Sequence, residues 1–171
     1  MSNPFVRIQN IKHYKLTECH LLRFDGGAVP NPGACGAGAI LYGPDGTGLC
    51  ERGEFIRRGT NNVAEYTGLK IGLEMALSRG VRAIKIEGDS KLVIQQICGL
   101  WAIKAPGLLA LHQGVMDSVR KFDYVVCRHI FREQNEAADA LTNELQETRT
   151  SFEREMQRGT PPELIPLPRV E

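Results

Sequence analysis

The chain has 171 residues, 42% hydrophobic and 24% charged, with 21 Lys and Arg against 20 Asp and Glu for a formal charge of +1. This suits one globular domain with a single core and short tails, and the balanced charge excludes a global positive field that would hold a polyanion by counterion release. No apolar run approaches the roughly 20 residues that span a membrane, Met1–His20 carries no cleavage signature, and Cys19, Cys35, Cys50, Cys98 and Cys127 form no C-x-x-C pair, which argues against a disulfide framework or a zinc site. The chain reads as an intracellular monomer with reduced thiols.

Residues 1–19 show no clear period and are expected to be an N-terminal tail. Leu21–Phe24, Gly38–Tyr42 and Leu49–Phe55 follow as three strands, joined by Gly/Pro/Asp segments (Asp25–Gly36 and Gly43–Gly48) short enough for an antiparallel meander. From Asn62 the pattern turns helical, with Leu69, Leu73, Ala76 and Leu77 on one stripe and a stop at Arg79-Gly80. Gly68 and Gly72 weaken that helix by about 1 kcal/mol each unless a close neighbour uses them.

Ala83–Glu87 reads as a fourth strand, and Gly88-Asp89-Ser90 as the cap of a helix through Ile97. A loop around Trp101 leads to a helix from Pro106 to about Lys121, then to a fifth strand, Tyr124–Ile130. The last helix starts near Asn135. Ala138, Leu141, Leu145, Phe152 and Met156 hold helical spacing, which predicts a helix of about 36 Å running to Arg158 before Gly159, with Thr160–Glu171 as a Pro-rich tail. The expected fold is α/β: a five-stranded mixed sheet in the order βββ-α-β-α-α-β-α with helices packed on it, the domain spanning 20–147 and the helix extension and tail 148–171.

Asp25, Glu65, Asp89 and Asp139 fall at element boundaries where neither a strand face nor a helix face needs them. With the first and fourth strands adjacent, strand-end and helix-start carboxylates converge on one crevice. Bare charges there would raise one another's pKa, and a divalent cation removes the conflict. Hard oxygen ligands without His or Cys suit Mg²⁺ or Mn²⁺. Two such ions about 3.5–4 Å apart activate a water and stabilise a departing oxygen, which is nuclease chemistry. Each acid also has a structural alternative. Asn62 and Glu65 have the spacing of a capping box, Asp89 suits a helix N-cap, Asp25-Gly26 is a turn signal, and Asp139 suits the helix dipole.

The flanks of these acids resemble the type 1 ribonuclease H family over about residues 20–147. The matching stretches are Phe24-Asp25-Gly26-Gly27 with Asn31-Pro32-Gly33, Thr60-Asn61-Asn62-Val63-Ala64-Glu65, Gly88-Asp89-Ser90, and Arg132-Glu133-Gln134-Asn135-Glu136-Ala137-Ala138-Asp139-Ala140-Leu141. The resemblance implies the ribonuclease H-like fold and endonucleolytic cleavage of the RNA strand of an RNA–DNA hybrid, dependent on two Mg²⁺ or Mn²⁺ ions. It implies Asp25, Glu65, Asp89 and Asp139 as the catalytic, metal-binding carboxylates. Gly26, Asn31, Asn61 and Asn62 are similar to residues that read the hybrid's minor groove and 2′-hydroxyls, a task suited to amides that both donate and accept. Arg58 and Thr60 resemble a pocket for a DNA-strand phosphate, and Ser90 stands beside Asp89 as a further substrate contact.

The chain departs from bacterial members in two places. Gly99–Gly107 is short and offers only Lys104 where they carry a Lys-rich protrusion, so the chain is similar to the compact archaeal and plant-type branch, and its Trp101 reads as packing over a helix. His129 lies ten residues before Asp139, as does a mobile-loop histidine, yet Val125, Cys127, His129 and Phe131 alternate as one strand face, which makes His129 structural and leaves Arg132 in the loop. The competing reading from another class is a catalytically weak or silent hybrid-binding domain of the same fold. A binding module has no use for four mutually repelling carboxylates.

Overall fold

The computed structural model describes residues 3–156. Its centre is a seven-stranded sheet in the order β1-β6-β5-β2-β3-β4-β7. Strands β2 (His20–Val29), β3 (Gly33–Tyr42) and β4 (Gly48–Gly59) form the expected antiparallel meander. Helix α1 (Asn61–Ser78) then crosses to β5 (Ala83–Gly88), parallel to β2. Helices α2 (Lys91–Ile97) and α3 (Pro106–Val119) lead to β6 (Tyr124–His129), parallel to β5, and α4 (Glu136–Thr148) follows. The mixed α/β architecture and the order of its elements are those expected. No helix among the described residues is long and apolar enough to cross a membrane.

Alternation along β2 divides the core. Leu22 and Phe24 join Leu69 and Leu73 of α1 and Val115 and Val119 of α3, while Leu21 packs with Ile40, Leu141 and Leu145 under α4. Gly72 lets α1 lie close on the meander, since a Cβ there would sit 2.7 Å from that of Ala39. The free thiols are buried except that of Cys98, which lies 3.0 Å from the Cys127 sulfur.

Two strands lie outside the five expected. Val6–Asn10, assigned to a tail, forms β1, an antiparallel edge strand on β6. Its burial is partial and broken by a bulge between Arg7 and Gln9, so no clean period marks it in the sequence. The last helix does not run to Arg158. It ends at Thr148, where Arg149 takes a left-handed φ of 54° and donates its N–H to the Leu145 carbonyl.

Phe152–Glu155 then forms β7 on the edge of β4. Phe152 and Met156 reach the Leu141 and Leu145 cluster from that strand and its end, so their helical spacing is satisfied by a different backbone. Ion pairs of Arg79 with Glu153 and Glu155, and of Arg154 with Glu51 and Glu144, hold the strand in place. The expected Pro-rich tail lies outside the described residues.

Candidate active site

Parallel pairing of β2 with β5 sets Phe24 opposite Gly88. The residues that follow, Asp25 and Asp89, therefore leave neighbouring strands at one level. Asp25 is inside β2, paired with Gly38 of β3, and not in a turn. Two glycines bring α1 against this point. A Cβ on Gly26 would fall 2.2 Å from the Ala64 carbonyl carbon and 2.4 Å from the Glu65 nitrogen, and one on Gly68 would fall 2.5 Å from the Asp25 carbonyl oxygen. Each methyl would wedge the helix off the strand and part Glu65 from Asp25.

The structural alternatives for Asp25, Glu65 and Asp89 do not describe what is found. Thr60, not Asn62, is the N-cap of α1, its Oγ1 accepting from the Val63 N–H at 3.2 Å, so Glu65 caps nothing. Ser90 caps α2, accepting from the Val93 N–H at 3.3 Å, which leaves the Asp89 carboxylate free of that duty. Asp139 does lie in the first turn of α4.

Asp25, Glu65 and Asp89 each present a carboxylate oxygen within 4.8 Å of the others. Asp139 stands outside that trio, near enough for its charge to act on Asp25. Burial, with repulsion from Asp89 behind it, pushes the Asp25 carboxyl up to about 7 against the opposing pull of the Gly26 N–H and Glu65. Glu65 is held well above the ordinary carboxylate range, again by burial first and then by Asp25 and Asp89, with Arg132 opposing. A side-chain hydrogen bond between the two favours the proton on Glu65 and the charge on Asp25.

The buried Glu65 Oε2 has no hydrogen-bond partner among the described residues. A crowded set of hard oxygen acceptors, one of them orphaned and two ionising with difficulty, fits a hard divalent cation.

The other expected site residues divide into two groups. Around the start of α1, the Asn31 Oδ1 accepts from the Asn61 N–H at 3.1 Å, and the Asn61 Oδ1 accepts from the Ala28 N–H at 2.8 Å. Both side-chain carbonyls are thereby used, and both NH₂ donors are left without a partner among the described residues. Asn62 is exposed on the same helix start, beside Thr60, and Arg58 is exposed near the end of β4. The second group is Ser90, next to Asp89 in the chain and occupied with its cap.

His129 closes β6, and its Nε2 lies 3.1 Å from the Asp89 carbonyl oxygen, an acceptor that assigns the ring proton to Nε2. Trp101 sits over the start of α2, with the Lys91 ammonium 5.9 Å from the ring centroid. Asn135, by contrast, was not singled out. An Asn directly before a helix reads as a cap, yet its side chain turns inward and donates to Asp89 Oδ1 at 3.2 Å.

The sequence profile of the reverse transcriptase-like family matches residues 23–145. A bifunctional protein of Mycobacterium tuberculosis is 38% identical over 125 residues, which is 72% of this chain but 34% of that protein. A ribonuclease HI of Halobacterium salinarum is 40% identical over 121 residues, 71% of this chain and 61% of that protein. The chain thus spans only part of these curated relatives.

Among solved structures, the N-terminal RNase H domain of the mycobacterial protein superimposes with a TM-score of 0.73 at 37% identity, covering 75% of this chain and 94% of that one. LC11-RNase H1, solved in complex with an RNA/DNA hybrid, matches with a TM-score of 0.72 at 31% identity, covering 76% and 98%. The RNase H1 of the halophilic archaeon Halobacterium salinarum aligns at 37% identity and a TM-score of 0.73 over 75% of this chain and 98% of its own. Shared fold, sequence and coverage together place this chain in the type 1 ribonuclease H family.

Proposed function

We propose that the protein hydrolyses the RNA strand of RNA–DNA hybrids, through a catalytic domain of residues 20–147 that holds two divalent cations, Mg²⁺ or Mn²⁺, at Asp25, Glu65, Asp89 and Asp139. The observation that carries this reading is the carboxylate trio within 4.8 Å, with the Glu65 Oε2 buried and unpartnered. The hybrid named for LC11-RNase H1 supports the choice of substrate. Bound there, the cations supply a water that ionises near neutral pH and positive charge for the departing oxygen.

The chain's own residues do the positioning. Asp25, paired with Gly38 of β3, and Asp89, just past the end of β5, would set the spacing of the oxygen donors, with Glu65 of α1 as the third. The NH₂ groups of Asn31 and Asn61, with Asn62 and the Gly26 backbone, are offered to the minor groove and its 2′-hydroxyls. Arg58 and Thr60 take a phosphate of the DNA strand, and Ser90 lies beside the substrate near Asp89. The free thiols suit a reducing, intracellular compartment, where the protein acts as a monomer. A catalytically silent hybrid-binding domain gains nothing from a trio whose crowding opposes ionisation.

Cleavage of labelled RNA–DNA hybrid, duplex RNA and duplex DNA with Mg²⁺, beside an Asp89→Asn variant, tests the proposal. The expected result is RNA-strand cleavage in the hybrid alone, lost in the variant. Equal activity in the variant, or no metal-dependent cleavage, overturns it.

A further inference from the structure

Asn135 stands between a 3-10 turn (Arg132–Gln134) and α4, and is 1% exposed. An Asn in that place ordinarily spends its side-chain oxygen on the first free N–H groups of the helix. Here no such bond is made. The NH₂ group instead donates to the Phe24 carbonyl at 2.9 Å and to Asp89 Oδ1 at 3.2 Å. Both neighbours are acceptors, so the amide has one possible orientation: a flip would set oxygen against oxygen at both contacts.

That orientation buries the Asn135 Oδ1 with no donor among the described residues. The main-chain oxygen of Asn135 accepts from the Asp139 N–H at 3.1 Å. One residue thus touches the strand position next to Asp25, the carboxylate of Asp89 and the helix turn that carries Asp139.

We infer that Asn135 is a positioning residue for the metal site: by occupying Oδ1 of Asp89 it fixes that carboxylate's rotation and leaves Oδ2 for the cation, while tying α4 and Asp139 to β2. The inference rests on the metal reading proposed above. Groups that hold a ligand by hydrogen bonds are needed for metal affinity as well as for activity, and their loss typically weakens one or the other 10–100-fold. A residue serving only to start α4 would show neither the inward turn nor the orphan.

The test uses the full chain and Asn135→Asp, which keeps size and shape but replaces the NH₂ group that donates both bonds with an acceptor oxygen. Calorimetric titration with Mn²⁺, without nucleic acid, is expected to show a dissociation constant raised about 10-fold or more. Hybrid cleavage is expected to lose kcat by a similar factor, with KM within twofold of native. A purely structural role predicts a lower melting temperature with Mn²⁺ affinity and kcat of the folded protein within twofold of native, and that result overturns the inference.

If Asn135→Asp gives no cooperative melt, Asn135→Ser replaces it. Its hydroxyl is too short to span both contacts, so a fivefold or larger loss of Mn²⁺ affinity is expected, and native affinity refutes the role. Absence of Mn²⁺ binding by the native chain, with Asp89→Asn indistinguishable from it, sinks the metal reading and this inference with it.

Discussion

The Gly68 Cα lies so close to the Asp25 carbonyl that a methyl group on it would come within 2.5 Å of that oxygen and 3.0 Å of the Gly38 oxygen. Both obstacles are backbone of the central meander, which cannot turn aside as a side chain can. The glycine that weakens α1 by about 1 kcal/mol as a helix residue is therefore what lets Glu65 meet Asp25. Gly68→Ala is expected to push α1 outward, lower stability by about 2 kcal/mol and weaken Mn²⁺ binding together. Thermal melts with calorimetry check this: a melting temperature raised by the helix-favouring methyl, with unchanged affinity, contradicts the packing argument.

The raised carboxyls give the metal-free protein a distinctive pH response. Asp25 moves from an ordinary value of 3.8 to about 7, and Glu65 is raised well above 4.5. The folded state thus binds protons more tightly than the unfolded chain, and stability falls as pH rises through this window. In EDTA the contribution is fully present below about pH 4 and is lost as pH climbs through about 7. Under the proposed function Mg²⁺ takes the place of those protons, so the metal is expected to raise the melting temperature more at pH 8 than at pH 5. Scanning fluorimetry across pH 5–8, with and without Mg²⁺, reads both slopes, and a metal-free melting temperature that rises toward pH 8 refutes the assignment.

The carboxylates were legible in the sequence because Asp25 and Asp89 adjoin glycines and Glu65 and Asp139 come early in their helices, positions where no apolar period calls for an acid. The central meander and crossovers were legible for a related reason: Leu22, Phe24, Leu69 and Leu73 repeat at the periods of a strand and a helix that share one core. Edge strands leave no such mark. Val6–Asn10 is mostly exposed, and β7 reads Phe-Glu-Arg-Glu, a pattern whose apolar residue also fits the preceding helix. Asn135 was hidden by ambiguity, because a cap and an inward-turned amide have the same sequence.

A row of charges crosses the middle of the sheet where the sequence shows only isolated polar residues inside strands. Register sets Glu87 of β5 between Arg23 of β2 and Arg128 of β6. Its two oxygens meet the Arg23 Nε at 3.2 Å and the Arg128 Nε at 2.6 Å, with all three side chains at most 5% exposed. Removing a carboxylate shared by two buried guanidiniums costs about 3 kcal/mol or more. Glu87→Ala is expected to lower the melting temperature by roughly 6–12 °C. A fall under about 2 °C in a thermal melt would show that the guanidiniums do not depend on Glu87.

Asn61 allows the proposed substrate contact to be separated from the fold. Its Oδ1 anchors the Ala28 N–H at 2.8 Å, while its NH₂ group is unpartnered among the described residues. Asn61→Asp keeps an acceptor for Ala28 and the size of the side chain but removes the donor offered to the minor groove, and it adds a charge facing phosphates. Losing one such hydrogen bond, worth about 1.4 kcal/mol, corresponds to about a tenfold rise in KM for the hybrid. The melting temperature is expected to stay within about 3 °C of native, because the anchor survives. Steady-state kinetics on a labelled hybrid, run beside thermal melts, distinguish the outcomes. An unchanged KM removes Asn61 from the substrate surface, and a collapse of the melting temperature shows that it serves the turn instead.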